Sequence, residues 1–302
     1  MMRGSLQKLA LLLVILALIK LPFAYFYQSE LDVAKTEFAS REFNTVFIGS
    51  SRTRQAIIPG EFDRQTNQIA QSYNFGTSGG LPPRTFDLCE DLIATHPSIK
   101  YVFFELSGGI DRAPEYDVSL SGFSFSEYYR ALTMLPFDAS LIYHNKLVLA
   151  LLKPDLSGNY ISYNWPTAPA FEKQQRQVGS KVSDDNLRLS HLLNRQMETT
   201  DVVPTATANP AYLRGINRLI ELAESKQVRI YFYIPPRIET EEEFKTVYAV
   251  YQRLEPKNRL VIAHDDASLY RADTSYDDFH LNYAGAMLFT EHFAMAFNDL
   301  NR

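Results

Sequence analysis

The chain has 302 residues, 46% of them hydrophobic and 22% charged, with a net charge of −5 and one cysteine. That composition is globular, with enough length for one large domain or a domain plus an insertion, and it excludes the disordered and disulfide-stapled classes. A negative balance with no basic run argues against a nucleic-acid partner, and the lone Cys89 excludes an intramolecular disulfide.

The first 28 residues read as a membrane anchor. Arg3 and Lys8 precede the apolar run 9–19, and after Lys20 the apolar character resumes through Tyr27, which gives the roughly 20 residues a helix needs to cross the hydrocarbon core. Lys20 would snorkel toward the outer interface, where Tyr25 and Tyr27 form an aromatic belt. The rival reading, a cleaved signal peptide with its apolar region at 9–19, lacks a small-x-small site after the run. Basic residues before the span put the N-terminus in the cytoplasm and the remainder of a single-pass chain outside.

Residues 29–41 have helical composition and link the anchor to the domain. Residues 45–49 form an apolar first strand, 71–75 a second, and 100–106 a third, with apolar residues at helical spacing over 84–95 between the last two. Strand, helix and strand at this density predict an α/β fold in three layers around a parallel sheet. The rhythm breaks over 108–210, read as a mainly helical insertion beside the catalytic edge. It holds one or two amphipathic helices at 125–152, a turn-rich and aromatic stretch at 153–169, and a helix at 184–197. Trp165 and Tyr163 are candidates for stacking on a sugar or for a small local core. Regularity returns with helices at 210–225 and 239–254, strands at 228–234 and 259–263, and a closing helix over 282–300 that Asn282 can cap. Cys89 falls in a predicted helix, as a small hydrophobe.

Two stretches carry chemistry. Val46-Phe47-Ile48-Gly49-Ser50-Ser51-Arg52 is a buried strand ending in a glycine and two hydroxyls, and such a turn lifts a serine out of the carboxyl edge, where open α/β sheets bind ligands. A serine needs a base to act as nucleophile. Tyr276-Asp277-Asp278-Phe279-His280 offers one, with an acid three residues before a histidine, so that the carboxylate can hold Nδ1 and leave Nε2 for the serine's proton. Each stretch read singly is a serine-rich turn or a surface Asp-His pair. Arg52 is a candidate for binding a substrate anion or for a structural salt bridge. His264, Asp265, Asp266, Asp277, Asp278 and His280 form an acid-rich cluster, but the spacing fits no zinc or calcium pattern, so no metal and no cofactor is expected.

Taken together and in this order, the two motifs resemble the SGNH (GDSL-like) hydrolase superfamily, and more narrowly its membrane-anchored members that accompany membrane-bound O-acyltransferases, as in teichoic-acid D-alanylation and alginate O-acetylation. The resemblance implies an SGNH/flavodoxin-like sheet, Ser51 as nucleophile, His280 as base, Asp277 as orienting acid, and Gly76 in Asn74-Phe75-Gly76 as the block II glycine. Two positions differ from the family's pattern. Gly49-Ser50-Ser51 stands where the family has Gly-Asp-Ser, and the third strand is followed by Ser107 where the family has an asparagine. An oxyanion hole would then use the backbone amides of Ser51 and Gly76, with Ser107 as a stand-in. The implied organisation is an anchor at 1–28 and a catalytic domain at 29–302, carrying 108–210 as insertion. The implied activity is that of an extracytoplasmic serine esterase or O-acyltransferase on acyl groups of a cell-envelope polysaccharide, whose partners are the acylated glycan or acyl donor, the membrane and a membrane-bound O-acyltransferase. The alternative is a catalytically silent scaffold of an envelope acylation complex.

Overall fold

The computed structural model describes residues 11, 14–15, 30–77, 82–107, 125–152, 182–199, 208–238, 240–260, 262 and 266–300. Among them are four parallel strands and ten α-helices, with sheet order β2-β1-β3-β4. The chain enters through α1 (Glu30–Ala39) and passes to β1 (Thr45–Gly49), α2 (Ser51–Ala56), α3 (Pro59–Gln65), β2 (Ser72–Gly76), α4 (Pro82–Thr95) and β3 (Tyr101–Glu105). Then come α5 (Phe125–Met134), α6 (Phe137–Leu152), α7 (Asp184–Thr199), α8 (Pro210–Ser225), β4 (Arg229–Tyr233), α9 (Glu241–Tyr251) and α10 (Tyr283–Leu300).

The strands are apolar throughout because helices cover both faces of the sheet. Val46, Ile48, Val102, Phe104, Ile230 and Phe232 point to one face, under α1, α4, α8 and α9. Their neighbours Phe47, Phe103, Tyr231 and Tyr233 point to the other, against Phe62 of α3 and Phe289, Phe293 and Phe297 of α10. Rings meet edge-on across that second layer, Phe47 with Phe293 at 5.4 Å and Phe103 with Phe293 at 5.0 Å. Strand order reverses around β1, so the carboxyl ends of β1 and β3 flank the position where such sheets bind ligands.

Several expectations are corrected. Two short helices, α2 and α3, occupy the stretch after the first strand; their polar sequences carry too few apolar residues for a periodic signal. α4 starts at Pro82, two residues before the apolar spacing begins, since the first helical turn tolerates prolines. The predicted strand at 259–263 is reduced, in its described part, to one bridge from Arg259 to Phe232. The stretch 125–152, expected as one or two helices, is two, divided at Leu135-Pro136, where proline ends α5. No described helix is long and apolar enough to cross a membrane; most of the apolar N-terminal stretch, and Trp165 and Tyr163, lie outside the described residues.

Candidate active site

β1 runs into the first turn of α2 with no intervening loop, and each residue of Gly49-Ser50-Ser51 has a separate task. A Cβ on Gly49 would fall on the Thr53 and Glu105 side chains, so only glycine fits there. Ser50 is the N-cap: its Oγ accepts the Arg52 N–H at 3.1 Å and donates to Glu105 Oε1 at 2.8 Å. Ser51 is the first helical residue. Among the described residues its amide N–H has no acceptor, while the amides of Ser50, Arg52, Thr53 and Arg54 are all taken.

Asp277 and His280 sit in a tight turn that the isolated Ser275–Leu281 bridge closes, just ahead of α10. Asp277 Oδ1 accepts the N–H groups of Phe279 and His280, each at 2.8 Å, which folds the carboxylate back onto its own turn. Both Asp277 oxygens then lie 2.9 Å from His280 Nδ1. That contact fixes Nδ1 as the protonated nitrogen and leaves Nε2 to accept. Nε2 lies 2.9 Å from Ser51 Oγ. Burial raises the Asp277 carboxyl, but the hydrogen bond and charge of His280 and the two amides outweigh it, and its pKa is lowered from the ordinary value. Asn282, predicted as cap, accepts the Gly285 N–H at 3.1 Å and so fixes the start of α10 three residues after His280.

Under the serine turn lies a buried polar network that sequence reading missed. Glu105, at the end of β3, accepts the Ser50 amide at 2.9 Å and the Thr53 amide at 3.3 Å. The Thr53 hydroxyl bridges Glu105 and the Tyr233 hydroxyl; burial pushes that phenol well above its ordinary pKa and keeps it neutral. Arg52 Nη2 pairs with Glu243 Oε1 at 2.7 Å and with Glu105 Oε1 at 3.5 Å, while Nη1 donates to the Arg237 carbonyl at 2.6 Å. Of the two readings of Arg52, the structure therefore takes the salt bridge: its guanidinium is buried in the network. The signal in the sequence was the charge closing Tyr101-Val102-Phe103-Phe104-Glu105, since a carboxylate at the end of a buried strand is costly unless paired.

The oxyanion expectation is revised. The Gly76 amide donates to Asn74 Oδ1 at 2.8 Å, and a Cβ at Gly76 would strike the Arg54 backbone, so this glycine serves the packing of α2 on β2. Asn74 Nδ2 donates to the carbonyls of Thr53 and Ile57, at 3.0 and 2.9 Å, bracing α2 from below. Ser107 is buried at the end of β3 with its amide donating to the Tyr212 hydroxyl at 3.3 Å. Of the two backbone amides expected to hold an oxyanion, that of Ser51 is the one left open.

The described members of the acid-rich cluster are separately engaged. Asp266 caps a short turn through the Ser268 amide and pairs with His292. Asp278 turns away from His280 and accepts the Ser183 amide at 2.6 Å and Asn186 Nδ2 at 2.9 Å, tying α7 to the turn that bears Asp277 and His280. No group of described residues is arranged to hold a metal ion. Arg237 is fully buried beneath this region, with Nη2 on the Leu269 carbonyl and Ser275 Oγ and the guanidinium over the Tyr270 ring. Burial pushes its pKa down to about 10, opposed by Tyr270, Asp277 and Asp278, so it stays charged. An open groove of about 640 Å³ runs between α7 and residues 267–273, lined by Arg188, His191, Tyr270 and Arg271.

No protein-family model, curated protein or solved structure matches this chain.

Proposed function

We propose that the protein is a serine esterase or O-acyltransferase of SGNH type, held at the membrane by residues 1–28, that acts outside the cytoplasm on acyl groups of a cell-envelope polysaccharide. One observation carries the chemistry: an acid, an imidazole and a serine hydroxyl stand in sequence with 2.9 Å at each step. In the reaction Ser51 Oγ attacks the acyl carbonyl while His280 Nε2 takes its proton, and Asp277 stabilises the imidazolium. The tetrahedral oxyanion is held at the Ser51 amide. Collapse expels the donor's alcohol oxygen, which receives the proton from Nε2, and leaves an ester on Ser51. Water or a glycan hydroxyl then attacks that ester by the same steps in reverse, giving hydrolysis or transfer. The anchor and the resemblance support a membrane-bound O-acyltransferase as partner and the glycan as acceptor.

The test is labelling by a fluorophosphonate together with turnover of p-nitrophenyl acetate. Labelling that disappears in Ser51→Ala supports the enzyme. A folded protein that neither labels nor turns over supports the second reading, a silent scaffold of an acylation complex. That reading is favoured by the engagement of the Gly76 amide with Asn74, which removes one of the two expected oxyanion donors.

A further inference from the structure

The helical hairpin α5–α6 buries one side and exposes large apolar residues on the other. Ala131, Leu135, Ala139 and Tyr143 pack between its two helices as a small core of their own. Arg130 of α5 pairs with Glu90 of α4 at 2.5 Å and fastens the hairpin to the sheet's helical layer. The outer side carries Tyr129 (68% exposed), Leu132 (45%), Phe137 (85%) and Leu141 (48%). Only Leu135 and Pro136 separate the two helices, so Leu132, Phe137 and Leu141 all stand within about five residues of the hairpin's bend. Clustered apolar exposure of this kind marks a surface with a partner.

Where the chain enters the domain selects that partner. Lys35 of α1 pairs with Asp91 at 2.6 Å, and Phe38 sits edge-on to His96 at 4.9 Å, so α1 runs alongside α4 in the same direction. The beginning of α1 therefore lies toward the beginning of α4, at the carboxyl edge that also holds Ser51. α1 and α5 grip adjacent residues of α4, Asp91 and Glu90, which places the entry of the anchor and the apolar hairpin around one helix. Between the apolar stretch ending at Tyr27 and the start of α1 at Glu30 stand two residues, a reach of about 10 Å. A domain held that closely has its nearest surfaces at the lipid.

We propose that the outer end of the α5–α6 hairpin, centred on Phe137 and Leu141, inserts into the headgroup and acyl boundary of the bilayer beside the anchor and lays the carboxyl edge of the sheet against the membrane. The occupant is the bilayer itself, and the inference rests on residues 1–28 being a membrane anchor. Two attachment points, one covalent and one interfacial, restrict the domain's tilt and hold Ser51 where a membrane-embedded acyl donor emerges.

The experiment uses the full chain, reconstituted into vesicles of three parts phosphatidylethanolamine to one part phosphatidylglycerol. Phe137→Cys carries an environment-sensitive nitrobenzoxadiazole label, with Met295→Cys, 60% exposed on α10 across the sheet, as reference. Native Cys89 is buried, and burial pushes its thiol well above the ordinary value, so it stays unlabelled. Resistance to alkaline carbonate extraction is scored first: extraction into the supernatant overturns the anchor reading. With the anchor retained, quenching by shallow nitroxide lipids about threefold stronger at position 137 than at 295, with a blue-shifted emission, is the expected result for a site 5–10 Å into the interface. Equal quenching at the two positions in an extraction-resistant protein overturns the hairpin proposal alone. Phe137→Asp combined with Leu141→Asp should reduce efficient capture of a vesicle-borne ester several-fold while turnover of a water-soluble ester is unchanged, since both side chains lie outside the core. Unchanged capture would also overturn it. Labelling of a membrane protein by a photo-crosslinker at 137 in cells, without lipid quenching in vesicles, would reassign the face to a protein partner.

Discussion

His280 Nε2 lies 2.9 Å from Ser51 Oγ although 229 positions separate the two residues in the chain. The contact exists because β1 and the turn before α10 both end at the same edge of the sheet. Ser51→Ala and His280→Ala should each lower turnover of p-nitrophenyl acetate by about 10⁴-fold or more, because nucleophile and base act as a unit. Neither side chain fills the core, so thermal unfolding should move little. Turnover near the wild-type rate in either variant would remove the catalytic assignment.

Asp277 links activity to acid stability. Its pKa is lowered in the folded protein, so folding favours the ionised form. The resulting stability is complete above the unfolded-chain value of about 3.9 and is lost as pH falls through the lower folded value. Asp277→Asn should therefore melt below the wild type at pH 7, and the two curves should converge toward pH 3. The same variant should lose about 10²- to 10⁴-fold in kcat, less than His280→Ala, because the imidazole is misoriented but present. Melting curves that stay equally separated from pH 7 to pH 3 would show that the carboxylate is not held as described.

The Ser51–His280–Asp277 arrangement was legible because its signals are local: a strand ending at Gly49 before two serines, and an acid three residues ahead of a histidine. The strands β1 to β4 were legible for a similar reason, since burial on both faces leaves continuous apolar runs. What escaped depends on pairing between distant segments. Nothing near Glu105 in the chain announces Ser50, Thr53 and Arg52 as its partners, and only the juxtaposition of β1 and β3 creates them. Gly76 was assigned a catalytic amide, but its neighbour Asn74 takes that amide. α2 and α3 were invisible because six- and seven-residue helices show too few turns for a periodicity to emerge.

Glu105 should prove costly to remove. Its side chain is fully buried and accepts two amides and two hydroxyls while facing Arg52. Glu105→Ala leaves those donors without an acceptor and should destabilise the fold by about 3–5 kcal/mol in urea unfolding. Glu105→Gln keeps the shape and part of the hydrogen bonding, and Arg52 retains Glu243, so its loss should be smaller. An alanine variant with unchanged midpoint would mean that the network under Ser50 carries no stability.

The membrane reading has its own test. On the proposed topology, the basic residues before the apolar stretch would put the chain beyond it outside the cytoplasm. Alkaline phosphatase fused after Arg302 should be active, because that enzyme matures only where disulfides form. An inactive fusion paired with an active cytoplasmic reporter at the same position would overturn the topology and the envelope substrate with it.

Asp278 neighbours Asp277 and faces the other way. Its two oxygens hold the Ser183 amide and the Asn186 side chain, at the first turn of α7, whereas the middle of that helix is fixed independently by Ser190 Oγ on the Ile238 carbonyl at 2.6 Å and Asn194 Nδ2 on the Pro235 carbonyl at 3.1 Å. Removing Asp278 should therefore loosen the start of α7 and leave its middle in place. In hydrogen exchange, Asp278→Ala should raise opening at residues 183–187 by about tenfold, the equivalent of a lost charged hydrogen bond, with residues 190–194 unchanged. Because the same carboxylate steadies the turn that bears Asp277 and His280, kcat for a small ester should fall a few-fold with KM unchanged. Asp278→Asn retains one acceptor oxygen and should lie between the wild type and Asp278→Ala. If Asp278→Asn instead cost as much kcat as Asp277→Asn, the orienting role would belong to Asp278, and the 2.9 Å contact of Asp277 with His280 would not be the working one.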